Sequence, residues 1–112
     1  MKYLELNDIS SYKKSLALSN FVWQIAIKWN HFKKQTVGIQ FCKAMDSISA
    51  SIAEGFGRYG KRDKIKFYHY SLYSAKESLD WNEKSKNRNL ISKKQYNYLL
   101  EELKTSQEKY IN

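Results

Sequence analysis

Apolar residues recur every three or four positions along most of this chain, and no proline interrupts the pattern in 112 residues. This spacing places apolar side chains on one face of an α-helix, whereas a proline would break a helix interior. With 42% apolar residues, the chain also has enough material for a core. The sequence therefore predicts an all-α fold made of long helices.

The first predicted helix runs from about Asp8 to Trp29, with Asn7 or Asp8 as its N-cap. It carries two apolar stripes that lie more than about 90° apart around the helix. The stripe predicted to face the core contains Ile9, Tyr12, Leu16, Trp23 and Ile27. The other stripe contains Leu18, Val22, Ile25 and Trp29. Because a helix of a four-helix monomer turns only one face inward, we assign the second stripe to contact with another copy. The alternative is one broad face inside a single bundle.

The second helix is predicted from about Val37 to Gly55, with Thr36 as N-cap and residues 31–35 as a polar connection. Its last residues begin the segment GFGRYG, which formally matches G-x-G-x-x-G. A dinucleotide site needs a strand before this motif, and here an amphipathic helix precedes it. We therefore expect Gly55 or Gly57 to end the helix in the left-handed region of backbone conformation.

The third helix is predicted to start between Lys61 and Asp63 and to end near Lys86. Its expected core stripe contains Ile65, Tyr68, Leu72, Ala75 and Leu79. Three tyrosines (Tyr68, Tyr70 and Tyr73) lie around His69 and could stack on bases, but such rings diverge around a helix. Packing in a core or interface is the favoured interpretation.

The fourth helix has the clearest start, because Ser92 and Gln95 have the spacing of a capping box. Its predicted core residues are Tyr96, Leu99, Leu100, Leu103 and Tyr110. Short connections between long helices favour antiparallel neighbours. The sequence thus predicts an antiparallel up-down-up-down four-helix bundle, with residues 1–112 forming a single domain.

The formal net charge of +9 favours anionic partners such as nucleic acid, and five basic residues lie between Arg58 and Lys66. A solvated charged face is the other interpretation of such a run. The single cysteine, Cys42, excludes an internal disulfide and fits a reducing compartment. Because the N-terminal residues lack a signal peptide and no apolar run could cross a bilayer, we expect a cytoplasmic protein without membrane contact. No motif indicates a cofactor or a metal.

The middle of the chain, SISASIAEGFGR followed by Phe67, Ser74 and Glu77, resembles the 23S rRNA intervening-sequence proteins. These are small four-helix bundles related to the accessory proteins of diversity-generating retroelements. The residues matching the family pattern are Gln40, Ala44, Ser47, Ile48, Ile52, Ala53, Glu54, Gly55, Arg58, Phe67, Ser74 and Glu77, with Lys43 in place of an arginine. The resemblance follows the helix order over essentially the whole chain.

This resemblance implies a cyclic homo-oligomer, typically a pentamer, with a basic surface suited to nucleic acid. For the retroelement relatives it also implies binding to a reverse transcriptase, and no catalytic activity is known for the family. The chain departs from the pattern at four positions: Cys42 replaces an arginine, Ser51 an asparagine, Ser71 a small apolar residue and Tyr73 a glycine. The lost arginine weakens the case for a nucleic-acid surface on the second helix.

The leading hypothesis is a non-enzymatic oligomer that binds RNA or DNA backbone through lysine and arginine side chains. The candidate residues are Lys33, Lys34, Lys43, Arg58, Lys61, Arg62 and Lys64. The alternative is a protein–protein scaffold or an accessory subunit, for example of a reverse transcriptase, whose charge is incidental. An enzyme is least favoured, because His31 and His69 have no nucleophile or orienting carboxylate beside them in the sequence.

Overall fold

Helices make up every regular element in the part of the chain that the structure describes. This structure, a computed structural model, describes residues 5–111 and the side chains of residues 5–105. The helices are α1 (Ser10–Ala26), α2 (His31–Lys33), α3 (Ile39–Phe56), α4 (Lys61–Asn87) and α5 (Lys93–Ile111). A 3-10 turn (Leu6–Asp8) precedes α1, and a π-helical segment (Lys34–Gly38) joins α2 to α3. The all-α prediction is confirmed.

The N-terminus of α1 differs from the prediction. The Asp8 carboxylate accepts a hydrogen bond from the Glu5 N–H at 2.8 Å, so it stabilises the 3-10 turn and does not cap α1. Ile9 occupies the N-cap position without a side-chain bond to the helix. The helix ends at Ala26, three residues before Trp29.

The second long helical segment begins earlier than predicted. The Asn30 side chain accepts a hydrogen bond from the Lys33 N–H at 3.0 Å, so Asn30 is the N-cap. The expected polar connection is therefore helical. Thr36, the predicted N-cap, instead donates its hydroxyl to the Phe32 carbonyl at 2.8 Å. The π-helical turn that follows brings Val37 and Gly38 to buried positions.

The core lies where α1, α3, α4 and α5 meet. Its largest fully buried side chains come from α1, α3 and α5: Val22, Phe41, Met45, Leu99 and Leu103. The longest contact runs between α3 and α4, and α1 packs against α3 as well. None of the described helices is both long and apolar enough to span a membrane.

Along most of α1 the structure reverses the roles that we assigned to the two stripes, although Ile9 and Tyr12 pack against the core as predicted. Leu18 and Val22 are 2% and 1% exposed inside the core of the single chain. In contrast, Leu16, Trp23 and Ile27 are 37%, 51% and 43% exposed. The stripe of Leu18, Val22, Ile25 and Trp29 is therefore not the outer surface, because α3 and the rest of the bundle already cover it; Ile25 and Trp29 are half-buried.

The buried face of α4 is mostly polar; of the predicted stripe, Ala75 is buried and the half-buried Leu79 packs against the core. Its fully covered residues are Ser71, Ala75, Ser78, Asn82 and Ser85. Ile65 and Tyr68 are 46% and 45% exposed. The serines serve as small core residues because some of their hydroxyls bond back to their own helix. Ser71, for example, donates to the Tyr68 carbonyl at 2.7 Å.

The start of α5 matches the prediction. The Gln95 N–H donates to Ser92 Oγ at 3.1 Å, and the Ser92 N–H donates to Gln95 Oε1 at 2.9 Å. These reciprocal bonds form the predicted capping box. Tyr96, Leu99 and Leu103 are buried and Leu100 is half-buried, whereas the Tyr110 side chain lies outside the described residues. Asn82 of α4 ties the two helices together by donating to the Tyr96 carbonyl at 3.1 Å.

Candidate nucleic-acid interface

The turn between α3 and α4 brings the predicted basic cluster to one end of α3. The left-handed glycine that we predicted at this turn is wrong. No described glycine has a positive φ, and Gly57, which follows the last residue of α3, has φ −78°. Gly55 is buried inside α3. A methyl group on Gly55 would stand 3.0 Å from Phe67 Cβ of α4. The glycine is therefore needed for the close approach of the two helices.

The Lys64 side chain has a structural role at the end of α3. Its ammonium group donates to the carbonyls of Gly55 and Phe56 at 3.3 and 3.2 Å. These carbonyls belong to the last turn of α3, where the helix dipole concentrates negative charge. Lys64 thus caps α3 and joins it to α4. Its ammonium also lies 6.0 Å from the centre of the Phe56 ring.

Arg58 is held in place by two neighbours. Its Nη2 lies 2.7 Å from Glu54 Oε1, and its guanidinium carbon is 4.9 Å from the centre of the Phe67 ring. Because the pair is largely exposed, the ion pair itself adds little stability. Its effect is to fix the guanidinium beside the turn, where the other guanidinium nitrogens remain able to donate to a phosphate.

Lys61 and Arg62 begin α4 and are exposed. Neither forms an ion pair among the described residues. Asp63 follows them in the first turn of the helix, where a carboxylate suits the positive end of the helix dipole. Lys66 lies 5.8 Å from the centre of the Tyr70 ring. The cations able to bind a phosphate here include Lys61, Arg62 and the free edge of Arg58.

Sequence reasoning missed Tyr59, which stands in the middle of this turn. Its side chain is 103% exposed, as open to solvent as in an extended peptide. The signal was present in the sequence: Tyr59 lies between Gly57 and Gly60, in a turn too short to fold back over a large ring.

The structure separates the remaining candidates from this turn. Lys33 and Lys34 are exposed, but Lys34 precedes Phe56 by 22 helical residues, or roughly 30 Å at the helical rise. Lys43 is exposed in the middle of α3, beside the groove between α1 and α3. The seven predicted residues thus form no single patch, and only a nucleic acid running along the bundle could touch all of them.

An apolar groove lies between α1 and the start of α3. It has a volume of about 260 Å³, and its walls include Trp23, Ile27, Ile39 and Cys42. Ile39 is 49% exposed although it belongs to a helix that otherwise supplies the core. Burial raises the pKa of the Cys42 thiol, and the nearby Asp46 carboxylate raises it further. Burial also raises the pKa of Asp46.

Two carboxylates of α4 form ion pairs within the helix. Asp80 pairs with Lys84, and Glu83 lies 3.2 Å from Lys86 Nζ. The Tyr96 hydroxyl also donates to Glu83 Oε1 at 2.9 Å, and this bond, followed by Lys86, lowers the pKa of Glu83. The hydrogen bond between Lys86 and Glu83 raises the pKa of Lys86. The Tyr96–Glu83 bond, together with the Lys86 ammonium 4.2 Å from the centre of the Tyr96 ring, links α4 to α5.

A comparison of the sequence with protein families gives one match that covers nearly the whole chain. The model of the 23S rRNA-intervening sequence protein family matches residues 7–112. The chain belongs to this family. The match supports the resemblance drawn from the I-A-E-G segment and from the spacing on α4.

A solved structure shares the fold of this 23S rRNA-intervening sequence protein. It is a crystal structure of a protein of unknown function from the S23 ribosomal protein family of Bacteroides thetaiotaomicron. The two chains superpose with a TM-score of 0.80 at 21% identity, covering 90% of this chain and 94% of the other. At this identity the likeness concerns the fold alone. No curated protein matches the sequence.

Proposed function

We propose that this chain is a non-enzymatic, cytoplasmic, oligomeric protein that binds the backbone of nucleic acid at the α3–α4 turn. The observation that carries the proposal is the pair of exposed cations, Lys61 and Arg62, beside the fixed guanidinium of Arg58. Unpaired cations at one end of a bundle attract phosphates strongly. Lysine and arginine contacts of this kind bind backbone with little choice of sequence.

The overall charge supports the same function. Each chain carries +9, so an assembly of five copies would concentrate a large positive charge in one particle. Pentameric assembly itself is suggested by the family resemblance. A free thiol at Cys42 agrees with a reducing compartment.

Exposed apolar surface supports assembly. Trp23, Ile27 and Ile39 leave an apolar groove open in the single chain, and such patches commonly mark protein contacts. We therefore move the proposed subunit contact from the buried stripe of α1 to the α1–α3 groove, with a second copy of the chain as occupant.

The contacts between helices support an up-down-up-down arrangement. The Phe21 ring of α1 packs at a tilt of 54° against the Tyr98 ring of α5, with ring centres 4.9 Å apart, while Lys14 pairs with Glu102 at 3.1 Å. From the first contact to the second, the residue number decreases on α1 and increases on α5. The two helices therefore run antiparallel. Nuclear Overhauser contacts between Phe21 and Tyr98, together with contacts between Lys14 and Glu102, would test this arrangement.

The decisive experiment measures binding of an RNA or DNA oligonucleotide as a function of salt. We expect steep weakening between about 50 and 200 mM salt, because bound phosphates release counterions. Charge reversal at Lys61 and Arg62 should weaken binding and make the salt dependence shallower. Lys76→Glu, an exposed change elsewhere on α4, is the matched control. Binding that is absent at low salt, or indifferent to salt, would remove the proposal.

The second candidate function is a scaffold that docks another protein, such as a reverse transcriptase. The α1–α3 groove favours it, because an apolar groove can accept a foreign helix as readily as a second copy. The same charge reversal separates the two functions. A partner that is still captured by the variant, with nucleic-acid binding lost, would establish the scaffold role alone.

A further inference from the structure

Tyr59 is a large aromatic side chain that its own chain leaves bare. Its exposure of 103% means that the ring rests on no other group of the described structure. Burying an aromatic side chain is normally favourable. A ring held fully in water therefore gains most when a ligand covers it.

Basic residues that can meet phosphates flank Tyr59 in the chain. Arg58 precedes it and is fixed by Glu54, while Lys61 and Arg62 follow at the start of α4. The turn is also open beside Gly60, since nothing other than its two chain neighbours lies within 4 Å of the position that a Cβ on Gly60 would take. Together with the full exposure of Tyr59, this leaves room for a flat partner at the turn.

An exposed ring flanked in the chain by basic residues is a combination that binds single strands. Proteins hold single-stranded nucleic acid by stacking aromatic rings on bases while basic groups follow the backbone. In a duplex both faces of an internal base are already stacked on neighbours, so a side chain of the protein meets no free base face. Cations alone would bind either form.

We propose that the α3–α4 turn selects single-stranded nucleic acid, with Tyr59 stacked on an unpaired base and Lys61 and Arg62 on the flanking phosphates. This inference rests on the proposed function and adds the form of nucleic acid that the site accepts. The stacking is indifferent to the identity of the base, because every base has a flat aromatic face.

The test compares a single-stranded oligonucleotide, the same oligonucleotide paired to its complement, and the Tyr59→Ala, Tyr59→Phe and Tyr73→Ala variants. Tyr73 is 62% exposed on α4 and serves as the matched control. Tyr59→Ala should weaken single-strand binding by about tenfold, the lower range for loss of stacking on one base. Its duplex affinity should not change. Tyr59→Phe, which keeps the ring, and Tyr73→Ala should bind single strands like the original chain.

Three results would overturn the inference while leaving the proposed function standing. Tyr59→Ala could bind the single strand with full affinity, or it could lose duplex and single-strand binding equally. Light scattering could also show that Tyr59→Ala changes the assembly, which would make the ring a subunit contact. If the unaltered chain binds neither form at low salt, the proposed function fails together with this inference.

Discussion

Gly55 of α3 lies against Phe67 of α4 so closely that an added methyl group would stand 3.0 Å from Phe67 Cβ. The obstacle is the stem of a side chain anchored to a helix, and such an atom moves only if the helix moves. The same crossing brings Lys64 within reach of the last carbonyls of α3. The position of the turn between α3 and α4 therefore depends on residue 55 being a glycine.

Gly55→Ala should lower the free energy of unfolding by about 1 kcal/mol. Overpacking typically costs about 1–3 kcal/mol, and the better helix propensity of alanine returns about 1 kcal/mol. Gly57→Ala is the matched control, because Gly57 has φ −78° and its nearest neighbour would be 3.6 Å away. Urea unfolding should show Gly57→Ala unchanged or slightly stabilised. Equal stability of the two variants would contradict the steric argument.

Lys64→Met should destabilise the fold more than it weakens nucleic-acid binding. The Lys64 ammonium satisfies two carbonyls at the end of α3, so its loss should cost about 1 kcal/mol of unfolding free energy. Lys61→Met should have the opposite profile, with stability unchanged within about 0.5 kcal/mol and weaker binding. Thermal unfolding and salt titrations on both variants measure this difference. The assignment of Lys64 as a cap is wrong if the two profiles coincide.

Cys42 should react slowly with iodoacetamide near neutral pH. Burial, and then the Asp46 carboxylate, raise the pKa of the thiol, and only the thiolate attacks. The rate should therefore keep rising with pH beyond the range where it levels off for an unfolded control. Asp46→Asn should accelerate the reaction by less than about tenfold, since burial is the larger cause. A plateau at the same pH in the folded and unfolded chains would contradict the raised pKa.

Glu83 should make the fold sensitive to acid. Hydrogen bonds from Tyr96 and Lys86 lower its pKa in the folded chain, so its stabilising effect is present above the unfolded pKa of about 4.3. That effect is lost as the pH falls through the lower folded pKa. The melting temperature of Glu83→Gln should therefore fall less steeply with acidification than that of the original chain. Glu77→Gln, an exposed change on the same helix, should keep the original pH profile.

The sequence predicted those features that depend on local chemistry. The capping box of Ser92 and Gln95 and the start of α4 near Lys61 were found because caps and turns need particular residues nearby. The choice between the two stripes was wrong along most of α1 because both stripes are apolar. Only the packing of α3, distant in sequence, decides that Val22 turns inward and Trp23 outward.

The turn between α3 and α4 also has features that the sequence predicts and features that it does not. Its place in the chain could be predicted from glycine spacing and charge density. The capping bond of Lys64 could not, because it depends on how α3 and α4 cross at Gly55. The burial of the polar face of α4, where Ser78 is fully buried, could not be predicted for another reason. A serine whose hydroxyl donates to a carbonyl of its own helix packs as a small core residue, although its polarity predicts an exposed position.

Assembly through the α1–α3 groove gives the last prediction. Light scattering on the purified chain should report several times the 13.3 kDa of one copy, and five times if the family resemblance extends to subunit number. Ile39→Glu should reduce the mass to that of one chain, because a carboxylate cannot be buried unpaired in an apolar contact. Tyr73→Glu, an exposed change on α4, should leave the mass unchanged. A 13.3 kDa particle from the unaltered chain would remove the oligomer, whereas full assembly of Ile39→Glu would place the subunit contact on another face.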